Sequence, residues 1–493
     1  MHRDDGSGSG TELSSKSLQK LDPRLAVPSY DRTSLGRGII HIGVGSFHRA
    51  HQAMYLDDLC RDGLTDWSIT GAGVLPGDAA MAAALEPQDY LYTRITRGTH
   101  ETTVRILGAI VDYVLASPDL TPLVERIADP ATKIVSMTIT EGGYPVDEAT
   151  GEYAAVADSG LPPAFEAIAR GLQIRRSEGR GGLTVQSCDN VMHNGDVARA
   201  ATLGVAAAVE PGLDEWVARN TAFPNSMVDS IAPATTDADR EFLLAEYGLI
   251  DRWPAVAEPF RQWILEDSFS YGRPPWEDAG ALFVSDVEPY ETLKLRLLNA
   301  GHSTLTYLAA LVGHVYVHDV LADPPFNTFL SRILDDEATP SLPPVPGIDI
   351  EDYKRKLTER FSNPGVKDTV ARLCLDGTSK FPKFLVPTIE SQLDTGGQVK
   401  LSALALAGWC QYLLGTTDDG REIKLSADPR LEYAVEFAQA SVSDPAAFLG
   451  MTDVFGSRVG ADPVFIAAFV DALVSVREVG TYRTLDRWLT VEG

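Results

Sequence analysis

The fold class that this sequence predicts is α/β, with a doubly wound sheet domain followed by a mostly α-helical domain. Three observations predict it. Short apolar runs alternate with helix-like stretches between about residues 38 and 285. A glycine turn follows the first of those runs. Beyond the breaker-rich segment YGRPPWEDAG (271–280), strand signals become rare and helical periodicity takes over.

Taken in order, the opening MHRDDGSGSGTELSSKSLQK is polar, rich in Gly and Ser, and lacks an apolar signal-peptide core. It predicts a mobile tail over 1–20. The strand candidates are GIIHIGVG (38–45), DWSITGAGV (66–74), KIVSMTIT (133–140) and LTVQSC (183–188). They are nearly continuous apolar segments, as strands buried on both faces require. Helix-like segments between them predict right-handed crossovers and an open, mostly parallel sheet over 21–285. From 286 to 493, helical periodicity marks 295–315, 350–375, 400–415, 430–440 and 462–478, and PSLPPVPGIDI (340–350) reads as a long surface connection.

Composition excludes several classes. The 493 residues carry a formal net charge of −27, which argues against nucleic acid and against anionic membranes, because both demand a basic surface. No apolar run approaches the roughly 18 residues that span a bilayer. The four cysteines (Cys60, Cys188, Cys374, Cys410) are scattered and form no Cys-x-x-Cys, so a reduced, cytoplasmic protein with thiols as small core residues is expected.

In GIIHIGVGSFHRAHQ, Gly43-Val44-Gly45 stands between a strand and a helical stretch, followed by Ser46, Phe47, His48 and Arg49. Two glycines there permit a tight turn and let backbone N–H groups approach a pyrophosphate. His48 occupies the place of the usual third glycine, and Arg49 offers a charge near the phosphates. By motif alone the segment fits a dinucleotide loop or an ordinary strand-to-helix turn.

The stretch ETLKLRLLNAGHSTLTYL (291–308) sets Glu291, Lys294, Asn299 and His302 among leucines. On an α-helical wheel with Lys294 at 0°, Glu291 lies at about 60°, His302 at about 80° and Asn299 at about 140°. Singly, each has a structural explanation: a snorkelling lysine, an i,i+3 ion pair, a satisfied core histidine. Together they suit proton removal from an alcohol. Desolvation lowers a lysine pKa toward the range of a general base, and asparagine donors can hold a developing oxyanion. Asn190 follows the run LTVQSC, where ligand groups of an open parallel sheet belong. In the same segment Asn194 and Asp196 read as helix caps. Asp229, in FPNSMVDSIAP, reads either as an Asx turn or as a site carboxylate. No metal is expected, because neither His48-x-x-His51 nor the pair Cys188/His193 has a zinc spacing. A nucleophilic hydrolase is excluded by the lack of a Gly-x-Ser-x-Gly elbow.

These residues lie in blocks that resemble the polyol-specific long-chain dehydrogenases, the mannitol dehydrogenase family. The blocks are HIGVGSFHRAHQ (41–52), TITEGGY (138–144), SCDNVMHNGD (187–196), FPNSMVD (223–229), EPFRQWILED (258–267), KLRLLNAGHSTLTYL (294–308) and SNPGVKDTVARLCLDGTSKFPKF (362–384). The resemblance implies a Rossmann-type first domain and metal-independent hydride transfer to NAD. It implies that Lys294 is the general base, that Asn190 and Asn299 bond the reacting oxygen, that His302 orients the substrate, and that Glu291 helps pass the proton to solvent. Asp229, Arg372 and Lys380 would contact polyol hydroxyls, and Gly43 to His51 would form the nucleotide loop. Asp78 would accept the adenosine ribose hydroxyl and disfavour a 2′-phosphate, although it lies further from the glycines than the usual ~20 residues. Ser46 stands where relatives carry a glycine, and Gly77 where some carry a second acid. The expected partner is a small polyol or ketose, with D-mannitol and D-fructose foremost, and the expected state is a monomer. A fructuronate/mannonate oxidoreductase and a D-arabinitol dehydrogenase are the alternatives within the family. A catalytically idle nucleotide sensor is the alternative outside it.

Overall fold

A computed structural model describes residues 10–147, 152–154 and 160–490. The chain divides into two compact units, Met1–Glu288 and Pro289–Gly493, three residues beyond the boundary read from sequence.

The first unit is built on a five-stranded sheet: β1 (Ile39–Ile42), β2 (Ile69–Gly73), β3 (Ile110–Leu115), β4 (Ile134–Met137) and β5 (Thr184–Ser187). The strands are all parallel, in the spatial order β3-β2-β1-β4-β5. The four apolar runs named above are four of these strands. Their continuity has a physical cause, because successive residues of β1 enter two different cores. Ile39 packs with Leu56 and Leu59 of helix Gln52–Arg61 on one face. Ile40 and Ile42 pack on the other with Ile127, Phe165 and Val205, from helices Thr121–Ala128, Pro163–Ser177 and Asn194–Val209. The sheet is therefore doubly wound. Strand β3 escaped the sequence reading because it is an edge strand, and Asp112 and Tyr113 interrupt its apolar run with half-exposed positions.

Two three-stranded sheets and a two-stranded pairing of Thr11–Glu12 with Leu249–Ile250 accompany the five-stranded sheet. Of the three-stranded sheets, one pairs Tyr92–Arg97 with Thr102–Leu107 and Ala255–Ala257; the other pairs Gln262–Glu266 with Ser226–Asp229 and Leu282–Val284. Asp229 thus ends a strand, opposite Gln262, so its placement in a loop is corrected and the Asx-turn alternative falls. The tail expectation is corrected over residues 10–20. Thr11 and Glu12 pair in parallel with Leu249 and Ile250, and Leu13 is fully buried. One apolar anchor outweighs the polar average around it. Residues 1–9 lie outside the described residues.

The second unit is helical, with no strand among its described residues beyond isolated bridges. Its core gathers around helices Ala300–Leu311, Lys400–Tyr412 and Pro463–Val479. The predicted helical stretch 350–375 is two helices, Ile350–Phe361 and Val370–Leu373, because SNPG (362–365) ends the first. Residues 342–349, inside the proline-rich segment, carry no regular helix or strand. All four cysteines are buried and unbridged. No helix among the described residues is long and apolar enough to cross a membrane.

Candidate active site

Strand order reverses between β1 and β4, and ligands of open α/β sheets bind outside the carboxyl ends of strands at such a point. The glycine turn sits there. Gly43 has φ +91°, and a Cβ on it would stand 2.1 Å from the Thr138 carbonyl oxygen, so only glycine fits. The turn is closed by Thr138 Oγ1, which donates to the Gly43 carbonyl at 2.7 Å. Gly45 is exposed, and a Cβ there would meet nothing within 4 Å. Gly43 is thus demanded by the turn, while Gly45 leaves open space for a ligand's close approach. That pairing fits a pyrophosphate-binding loop.

The side chains after the glycines behave differently. Arg49 has no exposed surface. It donates to the Trp253 carbonyl and lies over the Tyr92 ring, 5.3 Å from its centroid. The expectation that Arg49 adds a charge near the phosphates is corrected: the guanidinium is turned into the core, where Trp253 and Tyr92 receive it. His48 stacks on His41 with centroids 3.3 Å apart, and His51 stacks on Phe47 and bonds the Gln262 carbonyl at 2.9 Å. Burial pushes the His41 and His51 pKa values down to about 3 and holds His48 well below its ordinary value.

Asp78 follows β2, the strand next to β1. Its Oδ2 accepts from the Val74 and Leu75 amides at 2.8 and 2.9 Å. The long spacing from the glycines is taken up by the loop after helix Gln52–Arg61, so the carboxylate still arrives at the strand end where a ribose-binding acid belongs.

At the end of β5, Asn190 is exposed and its neighbour Asp189 is buried. The helix after them starts at Asn194, but its first amides are capped from a distance. Asn225 Oδ1 accepts from Gly195 N at 2.8 Å and Asp196 N at 3.1 Å. The capping roles expected for Asn194 and Asp196 are therefore corrected. Asn194 Nδ2 instead donates to the Asp189 and Ser226 carbonyls at 3.0 and 2.7 Å, tying the β5 loop to the strand that ends in Asp229. Asp229 is itself buried.

In the second unit, Lys294–Asn299 forms a π-helical turn between helices Glu288–Leu293 and Ala300–Leu311. The Ala300 amide reaches back to the Leu295 carbonyl, an i→i−5 bond. This corrects the α-helical wheel. At about 80° per residue through the turn, Asn299 moves from about 140° to about 40° from Lys294, and His302 to about −20°. The four polar residues close into a narrower sector than α geometry gives. Glu291, Lys294 and His302 are all buried, and His302 stacks on Phe361 with centroids 3.7 Å apart. Asn299 is half-buried, and its side-chain oxygen is buried without a hydrogen-bond partner.

Arg372 is exposed and forks onto Asp368, with Nε to Oδ1 at 2.6 Å and the second nitrogen to Oδ2 at 2.5 Å. Lys380 donates to the Leu373 carbonyl at 3.2 Å, and burial lowers its pKa.

Sequence reasoning missed the TITEGGY turn as a built structure. Thr140 has φ +64° and ψ 165°, a region that is essentially glycine-only, and Asp189 receives the amides of Ile139 and Thr140. The pair Gly142-Gly143 after a strand end was the available signal. Among the described residues, no group of three or more His, Cys, Asp or Glu side chains is arranged to hold a metal ion.

Comparison with known proteins agrees with this anatomy. Residues 37–278 match the mannitol dehydrogenase Rossmann domain, and residues 286–477 match the mannitol dehydrogenase C-terminal domain. A mannitol 2-dehydrogenase of Cereibacter sphaeroides is 43% identical over 472 residues, covering 94% of this chain and 98% of the relative. One from Phaeosphaeria nodorum is 40% identical over 490 residues, covering 97% and 85%. Among solved structures, the Pseudomonas fluorescens mannitol 2-dehydrogenase in ternary complex with NAD and D-mannitol is 42% identical. Its TM-score is 0.85, over 97% of this chain and 99% of that one. A substrate-free D-sorbitol dehydrogenase is 34% identical with a TM-score of 0.89, over 96% and 100%. With two adjoining domain matches and relatives aligned over nearly its whole length, the chain belongs to the mannitol dehydrogenase family.

Proposed function

We propose that this protein is an NAD-dependent polyol dehydrogenase that interconverts D-mannitol and D-fructose without a metal. The observation that carries the reading is the π turn, which gathers Lys294, Asn299 and His302 into one sector. In this reading Lys294 takes the proton of the secondary hydroxyl. Asn190 and Asn299 donate hydrogen bonds to the oxygen as it gains charge. His302, braced on Phe361, orients the substrate, and Glu291 passes the proton on. NAD, when bound, supplies the acceptor for the hydride that leaves the same carbon. Gly43 and Gly45 would hold its pyrophosphate and Asp78 its ribose, where a 2′-phosphate would meet a like charge. Asp229, Arg372 and Lys380 would contact the remaining hydroxyls.

Of the two cations that a uronate carboxylate could use, Arg372 is already forked onto Asp368, which favours a neutral polyol, while Lys380 donates to the Leu373 carbonyl. Further support comes from the Pseudomonas fluorescens relative, whose structure holds NAD and D-mannitol. The test is one panel of initial rates with mannitol, sorbitol, arabinitol and mannonate, each with NAD and NADP, on enzyme treated with a chelator. Mannitol with NAD should be fastest. Mannonate as the best substrate would overturn the neutral-polyol reading, NADP preference the role of Asp78, and loss of activity on chelation the metal-free chemistry. NAD binding without NADH from any substrate would leave the idle sensor.

A further inference from the structure

We propose that Asp189 is a positioning residue whose buried carboxyl holds the strained Ile139–Tyr144 turn and, with it, the pose of the adjoining Asn190. The inference rests on the reading that Asn190 bonds the reacting oxygen. Thr140 is a β-branched residue at φ +64° and ψ 165°, a conformation that persists only where the surroundings over-determine it. Here they do. Asp189 Oδ1 accepts from the Thr140 amide at 2.8 Å, and Oδ2 accepts from the Ile139 amide at 3.0 Å and from the Tyr144 hydroxyl at 2.7 Å. All three donors belong to the turn that leaves β4, beside the glycine turn.

The carboxyl is itself braced. Tyr144 Oη also bonds Ser187 Oγ at 2.6 Å, and the Asp189 carbonyl accepts from Asn194 Nδ2 at 3.0 Å. One buried side chain therefore ties the end of β4 to the end of β5, one residue before an exposed amide assigned to the chemistry. A carboxylate suits this place because it only accepts, and the turn presents only donors. Burial raises the Asp189 pKa, while the Tyr144 hydroxyl and the two amides oppose that rise.

The test compares Asp189→Asn, Asp189→Asn with Thr140→Gly, and Asn190→Ala in the full-length enzyme. The amide has one acceptor where the turn needs two, so the turn should shift. A displacement of about 1 Å at a reacting group lowers kcat on the order of 100-fold. We expect such a fall for Asp189→Asn with NAD affinity nearly unchanged and a modest fall in melting temperature, since one buried donor loses its acceptor. Thr140→Gly should restore part of the rate, because glycine adopts that conformation without strain. Wild-type-like kcat in Asp189→Asn overturns the proposal, as does a loss of rate that tracks a loss of NAD affinity and is not rescued by glycine. If Asp189→Asn does not fold, Tyr144→Phe decides, since it removes one donor: a lower kcat with unchanged NAD affinity supports the clamp, and an unchanged kcat overturns it. Asn190→Ala separates the two readings. An unaltered kcat there removes the role of Asn190 itself, whereas a slow Asn190→Ala beside a normal Asp189→Asn removes only the clamp.

Discussion

The glycine turn of the first unit and the π turn of the second both set polar residues inside apolar surroundings, by opposite means. In the glycine turn the backbone faces outward, and the side chains of His48, Arg49 and His51 are spent inside the fold. In the π turn the backbone is internal to a helix, and the extra residue per turn swings the side chains of Lys294, Asn299 and His302 together. The difference teaches which atoms to suspect. A charged residue beside a glycine motif is no sign of phosphate contact, whereas a polar residue on a widened turn is a candidate for chemistry.

Four experiments break or sharpen that contrast. Lys294→Ala carries the largest expected effect, a fall in kcat of about 10²- to 10⁴-fold with the Kd for NAD little changed. Near-normal turnover would remove the π turn from the chemistry. Next come the two glycines, which should differ. Gly43→Ala places a methyl 2.1 Å from the Thr138 carbonyl at a positive φ, so it should lower both melting temperature and NAD affinity. Gly45→Ala meets no protein atom and should weaken NAD by about tenfold (~1.4 kcal/mol) at an unchanged melting temperature.

Arg49→Met should cost stability, about 2 kcal/mol by denaturant titration, yet leave the KM for NAD within about twofold. A large KM effect would return Arg49 to the phosphates. The last contrast is acid–base, and the two units should answer with opposite signs. His41 and His51 are held at about 3, below the ~6.5 of the unfolded chain. The stability they contribute is present above ~6.5 and lost as pH falls toward 3. In the second unit, Glu337 is buried and caps helix Lys400–Tyr412, accepting from the Leu401 and Ser402 amides at 2.6 and 2.8 Å. Burial pushes it up to about 7, so its contribution is full below its unfolded value of about 4.5 and lost as pH rises toward 7. Between about pH 5 and 6.5, hydrogen exchange corrected for intrinsic rates should slow in β1 and quicken in helix Lys400–Tyr412. The same sign in both would refute the assignment.

Much of this was legible in the residues. Four of the five sheet strands announce themselves because two-sided burial demands unbroken apolar runs, and Gly43-Val44-Gly45 announces the turn between β1 and its helix. The edge strand β3 does not, since a half-exposed strand can carry Asp112 and Tyr113. Of the proposed site, Lys294, Asn299 and His302 stand out as polar residues among leucines. Asp189 does not, for its partners Ile139, Thr140 and Tyr144 lie 45 to 50 residues away.

The sequence by itself determined the two-part architecture, because periodicity and local turn chemistry are short-range properties, and its motif blocks carried the resemblance that implies the family and the residues of the proposed site. The tertiary structure alone decided directions: Arg49 inward, Asp229 at a strand end, Thr140 in a glycine's conformation, Asn299 swung toward Lys294. The first three depend on packing or on hydrogen bonds from distant parts of the chain, and the fourth on a widened helical turn, none of which the local pattern of residues announces.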